Sequence, residues 1–64
     1  MKRLKELRAE KGLSQAQLGK EIGIAQTTIS QYELKSREPD IETIKKLCKF
    51  FNVSSDFLLG IEEF

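Results

Sequence analysis

Apolar residues in this 64-residue chain recur three or four positions apart in short stretches, with glycines and polar clusters between them. The pattern predicts five helices. No stretch alternates as a half-buried strand does, and there is no internal repeat, so the expected fold class is all-α. The first helix is expected over residues 2–11, with Leu4 and Leu7 inward and Gly12 stopping it. Ser14 and Gln17 form a Ser-x-x-Gln capping box that opens a second helix running to Ile22, and Gly23 supplies the left-handed residue that ends it. Only three residues later a third helix begins, expected over residues 26–34. Residues 35–39 read as a polar turn, and Asp40 is the expected N-cap of a fourth helix reaching Phe51. Ser54 caps a short fifth helix that stops at Gly60, leaving the apolar tail residues Ile61 and Phe64 beyond it.

Such short connections force neighbouring helices to cross steeply around one core. The expected core is Leu4, Leu7, Leu13, Leu18, Ile22, Ile24, Ile29, Tyr32, Ile41, Ile44, Leu47, Cys48, Phe51, Val53 and Leu58. A chain of this length makes one domain, expected over residues 1–64, and has little interior from which to carve an enzyme cleft.

Composition narrows the chemistry. The chain has no His and one Cys, which removes the commonest general base and metal ligand and rules out an internal disulfide. Neither a metal site nor a cofactor or small-molecule ligand is expected. Cys48 falls within the apolar stripe of the fourth helix and reads as a small buried residue; a lone thiol suits a reducing cytoplasm. The charged N-terminal stretch is no signal peptide, and no apolar run is long enough to span a membrane, so a cytoplasmic protein is expected. The net charge is only +1, but it is uneven: residues 1–20 carry six Lys/Arg against two Glu, while residues 39–64 carry three against five acidic groups. A basic end suits a phosphate-facing surface, although a solvated helix face would look the same.

The third helix is unusual. On a helical wheel started at Gln26, Ile29 and Tyr32 fall at about 300° and 240°, on the buried side. Gln26, Ser30, Leu34, Thr27 and Gln31 fall between about 0° and 140°, on one outward face that carries no charge. In a chain that is 33% charged, an ordinary solvated face would carry Lys and Glu. Amides and hydroxyls are suited to reading base edges: Gln pairs with adenine N6 and N7, and the Thr methyl packs on the thymine methyl.

Leu18, Gly19, Ile22, Gly23, Ile24, Ile29 and Tyr32 are spaced as in a helix-turn-helix, and the stretches RAEKGLSQAQLGKEIGIAQTTISQYE and FNVSSDFLLG extend the match. Over nearly its whole length the chain resembles the phage repressor and Cro (XRE) family of DNA-binding proteins. The resemblance implies a compact five-helix, lambda-repressor-like fold whose second and third helices form the motif. It also implies that the third helix lies in the major groove of double-stranded DNA. By position, Gln26, Thr27 and Gln31, with Ser30, match the family's base-reading sites. Gln15 matches a residue that touches phosphate while bracing the third helix, and Thr28, Lys35, Ser36 and Arg37 are placed along the DNA backbone. A solvated turn is the alternative for residues 35–37. Arg8 and Glu33 match an ion pair that bridges the first and third helices. Two positions depart from the family pattern. Leu34 stands where a polar residue or Gly is usual, leaving a thymine-methyl or sugar contact and simple cover for a neighbour both open. Gly19 replaces the commoner Ala, at about 1 kcal/mol in helix propensity.

The expected function is transcriptional regulation, as a repressor, by a weak homodimer stabilised on a palindromic site. Phe57, Leu59, Ile61 and Phe64 are the candidate dimer surface, being too many large apolar groups for one short helix and its tail to bury. The alternative is that Phe57 and Ile61 fold back over the fourth helix. A protein-binding module of the same fold is the competing reading, supported by the near-neutral charge. An enzyme is not expected, since no acid/base or nucleophile set is present. Activator and antitoxin roles are indistinguishable from repression at this level.

Overall fold

The structure is a computed structural model that describes residues 1–61. Five α-helices run in the order α1 (Leu4–Glu10), α2 (Gln15–Ile22), α3 (Gln26–Glu33), α4 (Ile41–Phe51) and α5 (Ser55–Leu59), and the fold of the described residues is all-α. Local chemistry sets each boundary. The Ser14 hydroxyl accepts from the Gln17 N–H at 3.0 Å, and the Gln17 side chain accepts from the Ser14 N–H at 2.8 Å, closing the capping box of α2. Asp40 caps α4 through the Thr43 N–H at 2.9 Å, and Ser54 caps α5 through the Phe57 N–H at 3.1 Å. Asn52 ends α4 with a left-handed φ of 57°.

α3 packs chiefly on α2, with α1 behind it, while α4 joins α2 to α5. Leu4, Leu7, Leu18, Ile29, Tyr32, Leu47, Phe51 and Leu58 are buried at the centre of this arrangement. Leu13, Ile22, Ile24, Ile44, Cys48 and Val53 pack against that centre from a half-buried rim. Two expectations need correction. Ile41 is 73% exposed, so it is not core. Its azimuth matches the α4 stripe, but it is the first residue of the helix, one turn before Ile44, and lies open to solvent. Conversely Met1, absent from the expected core, is buried.

The helix-turn-helix itself is built on a close approach. Gly23 ends α2 at a φ of 74°, and the Ile24 N–H bonds back to the Gly19 carbonyl at 2.8 Å. A methyl group on Gly19 would fall inside contact distance of the Ile24 carbonyl oxygen, a backbone atom with little freedom to retreat. The glycine that looked costly in propensity is therefore what lets the turn close this tightly. Gly19→Ala should lower the unfolding free energy by about 1–2 kcal/mol, overpacking outweighing the propensity gain. Denaturant titration of both proteins checks this, and a variant at least as stable as the parent would show that the turn relaxes freely.

Candidate nucleic-acid interface

The site starts from the buried end of α3. Glu33 lies on the same side of the helix as Ile29, with its side chain only 6% exposed. It takes two hydrogen bonds from Arg8 on α1: Nε to Oε2 at 2.7 Å and Nη2 to Oε1 at 3.2 Å. The remaining Arg8 reach goes through Nη1 to the Leu13 carbonyl at 2.8 Å, tying down the turn before α2. Gln15, the first residue of α2, donates its amide to Glu33 Oε1 at 3.0 Å. An amide nitrogen carries two protons, so one Gln15 N–H is left for another acceptor. One carboxylate thus joins α1, the α1–α2 turn, α2 and α3. Burial opposes the charge on Glu33, yet the hydrogen bonds from Arg8 and Gln15, with the charges of Arg8 and Lys5, hold its carboxyl below the ordinary range. The same hydrogen bond raises the Arg8 guanidinium above its usual value.

The far side of α3 faces outward. Gln26 and Thr27 are exposed, and Thr28, Ser30 and Gln31 are partly so. Neither the N-cap residue Ala25 nor any acidic side chain in the first turn occupies the helix start. At the other end the helix closes in a Schellman arrangement: the Ser36 N–H reaches the Gln31 carbonyl at 3.0 Å and the Lys35 N–H reaches the Tyr32 carbonyl at 3.2 Å. The left-handed residue this needs is Lys35, at a φ of 62°, where glycine is the usual choice. Lys35 and Arg37 are exposed, whereas the Ser36 hydroxyl donates to the Gln31 carbonyl at 3.3 Å and has no proton left for a phosphate. The Met1 ammonium also donates to the Tyr32 carbonyl, at 2.6 Å. Burial, then the nearby Lys35 charge, push this amine below its ordinary range against the pull of Glu33 and Glu38. Nothing in the apolar pattern pointed to that contact, since it joins a terminal amine to a backbone carbonyl.

The four apolar residues at the C-terminal end are treated unequally. Phe57 is half-buried beneath the Arg3 guanidinium, 4.5 Å above its ring. Leu59 is half-buried, Ile61 is 61% exposed, and Phe64 lies outside the described residues. Among the described residues no helix is long and apolar enough to cross a membrane, and no cluster of His, Cys, Asp or Glu is arranged to hold a metal.

A tight two-helix turn, locked from behind and presenting an uncharged outer face, defines a helix-turn-helix domain. The helix-turn-helix family model matches residues 4–58, and the chain belongs to that family. The family is one of DNA-binding proteins, not enzymes. The chain is 42% identical over 62 residues to the HTH-type transcriptional regulator ImmR of Bacillus subtilis, covering 97% of this chain and 49% of that protein. It is 37% identical over 57 residues to repressor protein C2 of Salmonella phage P22, covering 89% of this chain and 26% of C2. A third relative, the HTH-type transcriptional regulator YgzD of Bacillus subtilis, is 33% identical over 61 residues, covering 95% of this chain and 92% of YgzD. The chain thus spans about half the length of ImmR and a quarter of C2. No solved structure matches.

The Arg8–Glu33 pair sets a pH dependence. Because the folded Glu33 value is lowered, the unfolded chain binds more protons between the two values, and stability there rises with pH. The contribution is complete above the ordinary glutamate value of about 4.3 and is lost as pH falls through the folded one. Arg8→Ala should cost about 3 kcal/mol at neutral pH, where it strands a charge, and less at about pH 3, below the ordinary glutamate value, where the unpartnered Glu33 of the variant can take up a proton. Denaturant unfolding at both pH values tests this. An equal cost at both would mean that Arg8 acts through packing alone.

Proposed function

We propose that this chain is the sequence-specific DNA-binding domain of a transcriptional repressor, reading the major groove of a palindromic operator through α3. The observation that carries the reading is the outer face of α3. Gln26, Thr27, Ser30 and Gln31 project amides and hydroxyls from a helix held rigidly from its other side, and among the described residues their side chains bond to nothing else. Such groups match base edges in number and kind. Around them, Gln15, Thr28, Lys35 and Arg37 supply the phosphate contacts that fix register, with Ser36 contributing through its backbone turn. Relatives named as repressors support the repressor role, while one relative, BcrR of Enterococcus faecalis, is named as an activator.

The variants that separate these roles are Gln26→Ala and Lys35→Gly. Selection of bound duplexes from a random pool should yield one preferred site for the parent. Gln26→Ala should weaken that site by about 1–3 kcal/mol and relax preference at one base pair per half-site. Lys35→Gly should raise the melting temperature by relieving a left-handed side chain, yet weaken specific and random DNA alike and lower the salt slope by about one unit per half-site. No preferred duplex for the parent, or no salt dependence, would remove the DNA-binding reading in favour of a protein partner.

The assembly follows from the size of one α3. Its eight residues read roughly four to six base pairs, too few for a unique address among ~10⁶ competing sites. Two copies about 34 Å apart on a two-fold site square the selectivity. Of the candidate dimer residues Phe57, Leu59, Ile61 and Phe64, the structure supports Leu59 and Ile61 best, since Phe57 is already taken up by Arg3. So small a surface makes a weak dimer that DNA stabilises. Sedimentation with a palindromic duplex should give two protomers per duplex for the parent and one for Leu59→Glu. Two in both cases would place the interface elsewhere, and one for the parent would end the dimer claim.

A further inference from the structure

We infer that Leu34 is a specificity-determining residue that reads the 5-methyl group of a thymine, an inference that rests on α3 being the base-reading helix. Leu34 closes α3 in right-handed conformation and is 75% exposed, more than any other large apolar side chain described. At that exposure it covers little of any neighbour. On the wheel it falls at about 80° from Gln26, between Ser30 and Thr27 and so at the centre of the amide and hydroxyl face. The other strongly exposed apolar residues, Ile41 and Ile61, open α4 and follow α5, away from this face. The chain also leaves at once. Lys35 turns left-handed, and Ser36 folds back onto Gln31, so the isobutyl group is the last side chain to project from the helix.

An apolar group held in water is favourable only where a partner removes it from water. Among base edges in the major groove, the apolar group is the thymine C5 methyl; the rest are donors and acceptors. A leucine is therefore blind to three bases and complementary to the fourth. Leu34 stands eight positions from Gln26, about 12 Å along the helix axis, and at about 3.4 Å per base pair the methyl lies up to three or four base pairs from the one Gln26 reads.

The test uses the operator selected by the parent protein, with each thymine replaced singly by deoxyuridine, which differs only in lacking the methyl. Affinities are measured for the parent and for Leu34→Ala, which should melt like the parent because the side chain is exposed. At one position per half-site, up to three or four base pairs from that of Gln26, the parent should lose about fourfold in affinity, the worth of one buried methyl. Leu34→Ala should be weaker on the thymine duplex by a similar factor and should bind thymine and deoxyuridine there equally. If both proteins respond identically to every exchange, Leu34 touches a sugar or a protein partner and the inference is overturned, while base reading by α3 stands. A Leu34→Ala protein as tight as the parent overturns it too. Recovery of no preferred duplex at all would overturn the reading of α3 itself, and this inference with it.

Discussion

Glu33 is where the parts of this small domain meet, and the placement of α3 depends on it. Helices of seven or eight residues are too short to be stable alone, so α1, α2 and α3 form only because each is held by the others. Apolar packing supplies most of that hold but is tolerant of direction. The bidentate Arg8 contact and the Gln15 amide are not, because two parallel hydrogen bonds to one carboxylate fix distance and angle together. A buried ion pair is a poor source of stability by itself, since desolvation offsets much of its attraction. Its contribution here is geometric: it sets the rotation of α3 against α1 and α2, and with it the direction in which the outer face looks.

The α2–α3 turn does the same from the other end. Gly19 allows the Ile24 carbonyl to approach the α2 backbone more closely than any side chain would permit, and Gly23 supplies the left-handed residue that ends α2. With Glu33 anchoring one end of α3 and this turn the other, neither end of the helix is left to fray. Preorganisation of that kind matters for recognition, because every degree of freedom ordered in advance is one that binding does not have to order.

Much of this was legible in the sequence, for physical reasons that differ by residue. The boundaries of α2, α4 and α5 were readable because Ser14, Asp40 and Ser54 cap locally, through hydrogen bonds that span three residues and need no tertiary context. The α3 face was readable because helical period and charge content are both local. What escaped notice depends on where helices end in space. Ile41 has the azimuth of a core residue but stands at the very start of α4 and is exposed, and periodicity carries no information about that. Met1 escaped because its burial is fixed by an amine bond to the Tyr32 carbonyl, 31 positions away. The closeness of the Gly19 approach was likewise invisible, since propensity counts a glycine only as a cost. At the site, residue types pointed to Gln26, Thr27, Ser30 and Gln31, but only the structure shows that the Ser36 hydroxyl is committed to Gln31 and that Lys35 bears left-handed strain.

That strain fits a wider division within α3. The residues that hold the helix, Ile29, Tyr32 and Glu33, occupy one arc, while Thr27, Ser30, Gln31 and Leu34 fall on the opposite one. A substitution on the outer arc should therefore have little effect on folding, while one on the inner arc should have a large one. Lys35 sits where the arcs meet the turn and belongs to neither. Its backbone completes the helix end, a task glycine would perform with less strain, and its side chain reaches outward. A residue that is second best for its backbone thus puts an ammonium on the exposed end of the helix.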